Sequence, residues 1–316
     1  MLICYVGVIL LCENKHIYSA DSCTIIDFHK GEVMTDQENG AMDKSIVGRK
    51  RRRGCGCLLM LLIIPLLYYG LYFAFRGQRP ENPQLIAHRG ASVYEPENTM
   101  DAFEHAIAVE SDWIEMDVQR TQDGVLVVVH DETVDRTTNG TGNVGELTWE
   151  QLQTLDAGNG QRIPTFAEVV SLAKEADVGI FPEAKSPELY PGIEAEIVEA
   201  IVDGEYVDGT VVQSFSPEAL LKVREINSDM PVCPLYGLWQ FDLSDPPIGD
   251  IDKLCPMAEM IVLNPWMIKQ AHDADREVFV WFGVLENPLM MRIMLALGAD
   301  GLMVDDPDVL ADILGR

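Results

Sequence analysis

The sequence predicts an α/β protein, a (β/α)8 barrel preceded by a single transmembrane helix. Three observations carry that reading. Apolar strand-like runs alternate with amphipathic helical stretches from Leu85 to the C-terminus. One tight turn removes the surplus strand from the count. An uncharged run from Leu58 to Phe75 stands ahead of the whole pattern.

The strand-like runs are Leu85–His88, Trp113–Val118, Val125–His130, Val178–Glu183, Thr210–Phe215, Val232–Tyr236, Met260–Leu263, Val278–Phe282 and Gly301–Val304. Helical periodicity fills most gaps, at Asn98–Val109, Thr165–Glu175, Ile193–Val202, Pro217–Ile226, Pro265–Ala274, Pro288–Leu297 and Asp308–Leu314. Repeated βα units of this size point to a parallel sheet, and about eight of them to a closed barrel. Nine runs are one too many. Gln122-Asp123-Gly124 leaves no room for a crossover helix, so the third run is read as the return arm of a hairpin above the second. Eight barrel strands remain.

Residues 1–57 read as a leader, disordered and ending in a basic stretch. Met1 to Cys12 is apolar but short and has no basic flank; it is a fragment of a targeting signal or an upstream start without a role, with Met42 as an alternative start. Residues 13–48 are polar and without period. Arg49-Lys50-Arg51-Arg52-Arg53 then precedes the uncharged 58–75, whose length is about the minimum for crossing a hydrocarbon core. Pro65 and Gly70 are tolerated in such helices, and Tyr68, Tyr69 and Tyr72 suit an interface. No small-residue cleavage site follows, which disfavours a removed signal. The basic flank places the N-terminus in the cytoplasm and the domain 80–316 outside it, at the cell membrane. Cys55 and Cys57 lie where acylation could occur.

The chain holds 51 acidic and 23 basic residues, and residues 80–316 hold 44 against 13. So acidic a domain excludes nucleic acid, whose backbone a binder must neutralise with Lys and Arg. It is also repelled by anionic headgroups, and a salt-rich habitat would account for so much surface acid. Cys233 and Cys255 are the domain's two cysteines; an exported domain permits their pairing without requiring it.

The chemistry concentrates between Leu85 and Asp131. On a strand, residues two apart share a face, so Glu115 and Asp117 point one way and Ile114, Met116 and Val118 the other. Paired carboxylates on an apolar strand repel and are costly to bury. They call for a cation, and hard oxygen ligands suit Mg2+ or Ca2+; the plainer alternative is a solvated strand end. In a barrel the functional rim lies at the strands' C-terminal ends. His88 and Arg89, Glu115 and Asp117, Glu183 and Lys185, Gln213, Trp281 and Asp305 all fall there. Glu183 and Lys185 could instead be a simple rim ion pair. No G-x-S-x-G, Walker A, C-x2-C or H-E-x-x-H pattern occurs in the domain. A hard-metal site, two cations and two histidines are the parts that phosphodiester hydrolysis needs.

His88-Arg89-Gly90, Pro96-Glu97-Asn98-Thr99, Glu115-x-Asp117, Thr121-x-Asp123-Gly124, His130-Asp131, Asp135-Arg136-Thr137-Thr138 and Glu183-x-Lys185 follow in the order and spacing of the glycerophosphodiester phosphodiesterase family, which the chain resembles from Leu85 onward. The resemblance implies the same barrel, with Glu115, Asp117 and Glu183 binding Mg2+ or Ca2+. It implies His88 and His130 as the acid–base pair, Arg89 and Lys185 on the phosphate, and Glu97 and Trp281 orienting the substrate. It implies attack by the substrate's own glycerol hydroxyl, through a cyclic phosphate that water opens. The expected substrate is a small glycerophosphodiester; a lysophospholipid, cleaved as by a lysophospholipase D, is the close variant. A catalytically idle barrel serving as an extracytoplasmic binding module is the alternative from another class. Glu97 could also be only a first-turn carboxylate beside an Asn98 cap. Pro182 is unusual before Glu183 and predicts a bulge. Trp281-Phe282-Gly283-Val284 stands where the family shows W-T-V-N, and Val304-Asp305-Asp306-Pro307 where it shows T-D-x-P. The loop after Tyr236, with Trp239 and Phe241, is an aromatic candidate for closing over the substrate or meeting a membrane. His16, His29, His105 and His272 are read as non-catalytic.

Overall fold

Eight parallel strands close on themselves in the computed structural model, which describes residues 24–27, 32–35, 54–75, 80–243, 248–249 and 251–316. The chain divides into two compact units, Met1–Ile64 and Pro65–Arg316. The first contains β1 (Thr24–Asp27) and β2 (Glu32–Thr35), an antiparallel pair with Ile25 opposite Met34 and Ile26 opposite Val33. The leader reading had no strands here; β-branched Thr24-Ile25-Ile26 suits one. Gly54–Cys57, read as the end of the leader, begin a helix, and residues 1–23, 28–31 and 36–53, with the alternative starts, lie outside the described residues.

A helix, α1 (Gly54–Phe75), leads into the second unit. Then follow β3 (Gln84–Ala87), α2 (Met100–Ala108), β4 (Trp113–Arg120), β5 (Leu126–Val128), α3 (Trp149–Leu152), α4 (Phe166–Ala176), β6 (Gly179–Ala184), α5 (Ile193–Asp203), β7 (Val212–Ser214), α6 (Pro217–Ile226), β8 (Val232–Tyr236), β9 (Lys253–Pro256), α7 (Ala258–Leu263), α8 (Trp266–His272), β10 (Glu277–Trp281), α9 (Pro288–Leu297), β11 (Gly301–Val304) and α10 (Pro307–Leu314). The barrel runs β3, β4, β6, β7, β8, β9, β10, β11 and closes through parallel pairing of β11 with β3. As expected, β5 is the antiparallel return arm on β4, with Val118 opposite Val128.

One strand was misplaced by the sequence. Met260–Leu263 lies within the helix α7, and the sixth barrel strand is β9, Lys253–Pro256. Four consecutive apolar residues fit a buried strand or a helix turn equally well. The true strand, with Lys253 and Pro256 at its ends, shows no alternation to find.

Pro182 makes no bulge. Along β4 the ladder is continuous from Trp113 opposite Gly179 to Val118 opposite Ala184. On the β7 side, Ile180 uses both its N–H and its carbonyl, with Gly209 and Val211. Pro182, two residues on, faces the same neighbour without a donor. Pairing with β7 accordingly lapses and resumes at Glu183 opposite Gln213, with its register unchanged from Ile180 opposite Thr210.

Among the described residues no helix is long and apolar enough to cross a membrane. The side chains of α1 are described for 63–74. Tyr72 is buried, edge-on to Trp266. The hydroxyls of Tyr69 and Tyr72 donate to the carbonyls of Val262 and Leu297, and that of Tyr68 to Asn264 at 3.1 Å. These tyrosines bond to the barrel, where the sequence had put them at a lipid interface. Leu66, Leu67, Leu71 and Phe73 are exposed.

Alternation along each strand builds the lumen in layers. Ile86, Phe181, Val211, Cys233, Leu235, Cys255, Phe279 and Met303 pack together inside, and Cys233 is disulfide-bonded to Cys255. Two positions beyond Ile86, Phe181, Val211, Phe279 and Met303 come His88, Glu183, Gln213, Trp281 and Asp305. The site therefore stands on a buried apolar floor.

Two carboxylates brace the loops above it. Glu259 of α7 accepts the N–H groups of Gly283, Val284 and Leu285 at 3.2, 2.7 and 3.0 Å. Glu286 accepts those of Asp305 and Asp306, at 2.9 and 3.1 Å. Burial pushes the Glu286 carboxyl up to about 7, against those hydrogen bonds. A carboxyl raised on folding holds its proton longer than in the unfolded chain, so its contribution to stability falls as pH rises from its ordinary value through about 7. Urea unfolding at about pH 5 and about pH 8 should therefore show a larger loss of stability in the wild type than in Glu286→Gln. Equal losses would show that Glu286 does not titrate in this range.

Candidate active site

His88 follows β3 directly. The chain then turns through Arg89 and Gly90, at φ 57° and 80°. A Cβ on Gly90 would lie 2.6 Å from the carbonyl carbon of Ala102, so only glycine lets the turn sit against α2. The turn carries the Arg89 amide to Glu115 Oε2 at 2.9 Å. The P-E-N-T segment closes the same corner. Thr99, rather than Asn98, caps α2. Asn98 instead donates to Asp117 Oδ2 at 2.8 Å and accepts the Asp117 amide.

Seven of the nine candidate residues (His88, Arg89, Glu115, His130, Glu183, Lys185 and Trp281) line one cavity of about 440 Å3, together with Gln213, Phe215 and Asp305. Asp117 lies buried beside it, and Glu97 stands behind Arg89. Glu115, Asp117 and Glu183 each offer an oxygen within 4.8 Å of the others', and all three are buried. Gln213 Nε2 donates to Glu115 Oε1 at 2.9 Å. Lys185 Nζ is 3.3 Å from Glu183 and 3.6 Å from Asp117, and Arg89 Nε is 3.3 Å from Asp117. The rim ion pair foreseen as a bland alternative is thus one edge of a larger cluster.

That cluster holds more acid than its cations neutralise. Burial, then Asp117, pushes Glu115 well above the ordinary carboxylate range. Burial pushes Glu183 up to about 7, against the pull of Lys185. Asp117 stays low because Lys185 and Arg89 outweigh its burial. Its Oδ1 is buried without a hydrogen-bond partner. Three converging carboxylates, one of them with an oxygen met only by the Lys185 ammonium at 3.6 Å, are a donor set that a divalent cation fits.

Each imidazole leans on a carboxylate. His88 Nδ1 is 2.6 Å from Asp305 Oδ1, and Ser92 Oγ donates to the same oxygen at 3.2 Å. His130 Nδ1 is 2.7 Å from Asp131 Oδ1. A carboxylate only accepts, so Nδ1 carries the proton in both rings and Nε2 is left for the cavity. Burial pushes the His130 imidazole down, although Asp117 pulls it up.

Several residues here carried no role in the sequence reading. Gln119 reaches three carbonyls, Val129, His130 and Asp131, at 2.9, 3.0 and 2.7 Å, and accepts the Tyr190 hydroxyl at 2.8 Å. It shares the Glu115–Asp117 face, which is the signal that could have found it. Asp305 was noted at a strand end but not as the partner of His88. Arg136 and Asp131 lay in quoted motifs without a task. His105 pairs with Asp308 and stacks on Tyr94, and His272 pairs with Asp300; neither lines this cavity. His16 and His29 lie outside the described residues.

Residues 88–309 match the model of the glycerophosphoryl diester phosphodiesterase family. A glycerophosphodiester phosphodiesterase of Caldanaerobacter subterraneus subsp. tengcongensis is 36% identical over 245 residues, 73% of this chain and 98% of that protein. One from Bacillus subtilis is 36% identical over 255 residues, 73% of this chain and 86% of its own. The crystal structure of glycerophosphodiester phosphodiesterase from Agrobacterium tumefaciens superposes with a TM-score of 0.64 at 27% identity, covering 73% of this chain and 99% of that one. The same barrel occurs in an Oleispira antarctica phosphodiesterase solved with the product sn-glycerol-3-phosphate, at a TM-score of 0.64 and 22% identity, over 78% of this chain and 99% of that one. The match begins at His88, the first residue of the cavity, and runs past Asp305, the partner that orients it; the chain belongs to the glycerophosphoryl diester phosphodiesterase family and is an enzyme of its class.

Proposed function

We propose that this chain is a membrane-attached, divalent-cation-dependent phosphodiesterase that hydrolyses glycerophosphodiesters to glycerol 3-phosphate and an alcohol. The observation that carries the reading is the convergence of three buried carboxylates, two cations and two carboxylate-braced imidazoles on one cavity. Glu115, Asp117 and Glu183 would hold Mg2+ or Ca2+, which when bound polarises the phosphoryl oxygens. Arg89 and Lys185 face the phosphate's remaining charge. One of His88 and His130 takes the proton from the attacking hydroxyl, and the other returns one to the departing alcohol. Asp305 and Asp131 keep Nδ1 of each ring occupied, so that Nε2 does this work. Trp281, held by its indole N–H on the Tyr236 carbonyl and edge-on to Phe215, walls the cavity. Glu97 acts by holding Arg89.

A second reading, cleavage of lysophospholipids, is favoured by the loops around the mouth. Phe215, Leu238, Trp239 and Val284 are 50%, 60%, 76% and 87% exposed. Val284 stands where the resemblance expects a polar asparagine. An apolar rim of this kind suits an acyl chain better than water does.

Two observations support an extracytoplasmic location at a membrane. The uncharged 58–75 behind five basic residues suits a membrane-inserted segment with a cytoplasmic N-terminus. The Cys233–Cys255 disulfide suits an oxidising compartment. Tyr69 and Tyr72 hold the end of this helix on the barrel, so a full crossing by 58–75 would require those contacts to open. Membrane pellets of expressing cells should retain the chain through alkaline carbonate, and deletion of 58–67 should release it. Extraction of the full chain by carbonate would sink the attachment.

Release of glycerol 3-phosphate from glycerophosphocholine should stop with EDTA and return with Mg2+ or Ca2+. Glu115→Gln and His130→Ala should each lower kcat by about 100-fold or more. No turnover of any glycerophosphodiester or lysolipid by a folded, metal-loaded chain would favour the idle binding module. Trp239→Ser combined with Val284→Asn should lower kcat/KM for lysophosphatidylcholine by about tenfold while leaving glycerophosphocholine within about twofold, since burying a few apolar groups contributes about 1–2 kcal/mol. An equal effect on both substrates would remove the lipid reading.

A further inference from the structure

Arg136 lies on the excursion after β5, outside the barrel wall, and does not line the cavity. Its guanidinium makes four hydrogen bonds, two to each of two carboxylates. Nε donates to Asp131 Oδ2 at 2.6 Å and Nη2 to Asp131 Oδ1 at 3.1 Å. Nη1 donates to Glu97 Oε2 at 2.6 Å and Nη2 to Glu97 Oε1 at 2.8 Å. The same Glu97 Oε1 accepts Arg89 Nη1 at 2.9 Å, and the same Asp131 Oδ1 meets His130 Nδ1 at 2.7 Å.

A chain of contacts therefore runs from His130 through Asp131, Arg136 and Glu97 to Arg89. The segment that presents Arg136 is itself anchored. Val134 and Val144 are fully buried in a satellite cluster, and Thr133 bridges Asn143 across it. Gly142 N–H is held by Asp135 at 2.9 Å.

Resting on the phosphodiesterase reading above, we propose that Arg136 is a positioning residue that fixes the imidazole of His130 and the guanidinium of Arg89 relative to one another through Asp131 and Glu97. A planar fork with five donors can grip two carboxylates in this way; an ammonium, a point charge, cannot hold both edges. Half-exposed ion pairs are ordinarily worth little to stability. What distinguishes this one is that both of its acceptors go on to touch groups of the cavity. The proton-transfer group and the phosphate-binding group thus share a single external brace. Without it, Asp131 and Glu97 keep their inner partners but lose the geometry that sets the distance between them.

The test uses the full-length, metal-loaded protein with glycerophosphocholine, comparing wild type, Arg136→Lys, Arg136→Ala, Asp131→Asn and Arg136→Ala/Asp131→Asn. Arg136→Lys and Arg136→Ala should unfold near the wild-type temperature and lose about 10- to 100-fold in kcat, as expected when a proton-transfer group is misplaced. Millimolar guanidinium should restore part of the kcat of Arg136→Ala and none of the loss in Asp131→Asn. The double variant should be no more than about threefold slower than Asp131→Asn, because both changes break the same path. In NMR spectra, the hydrogen-bonded Nδ1 proton of His130 should be sharp in the wild type and shifted and broadened in Arg136→Ala. A fully active Arg136→Ala, or losses that simply multiply in the double variant, would overturn the proposal while leaving the enzyme reading in place. A folded wild type without turnover would remove both.

Discussion

Three carboxylates kept from water at the mouth of the barrel are the constraint on which this structure depends. Glu115, Asp117 and Glu183 are each under a tenth exposed, and isolated charges in such a place are not stable. Much of the surrounding architecture answers that problem. Arg89 is swung in by a left-handed turn that needs Gly90 beside it, Asn98, just before the Thr99 cap, serves Asp117, and Gln213 serves Glu115. Lys185 follows directly on the strand that carries Glu183. The cluster still stays under-neutralised, with three carboxylates against two cations, and its oxygens are close enough together to take up a further cation.

The lumen beneath supports that arrangement mechanically. A closed ring of strands leaves no free edge along which the carboxylates could relax apart. The apolar layer through Phe181 and Phe279, cross-linked by Cys233 and Cys255, keeps water from reaching them from below. Above, Glu259 and Glu286 spend their carboxylates on backbone amides. The loops that carry Gly283 and Asp305 are therefore fixed by acid groups outside the reaction.

Much of this was legible in the sequence, and the part that was not has definite causes. Period-two alternation gave the shared face of Glu115 and Asp117, and the Asp123-Gly124 turn gave the return arm, because both are local. The sixth barrel strand was missed because Lys253–Pro256 has no alternation, while Met260–Leu263 imitates a strand although Met260 and Ile261 bond back to the Met257 carbonyl in a helical turn. The bulge expected at Pro182 rested on a local rule that ignored which neighbour the residue faces. Partners drawn from distant positions, such as Asp305 for His88 or Gln119 for the carbonyls around His130, have no short-range signature. They become visible only when the barrel closes.

The two imidazoles do not share a foundation. His88 leaves a barrel strand, whereas His130 is borne on the antiparallel arm that β4 and β5 form, with a small apolar core of its own around Val127, Val134 and Leu152. The span between the two rings is therefore set by the length and tilt of an appendage. Insertions into that arm could widen or narrow the gap for bulkier or slimmer esters while every stave of the barrel kept its place.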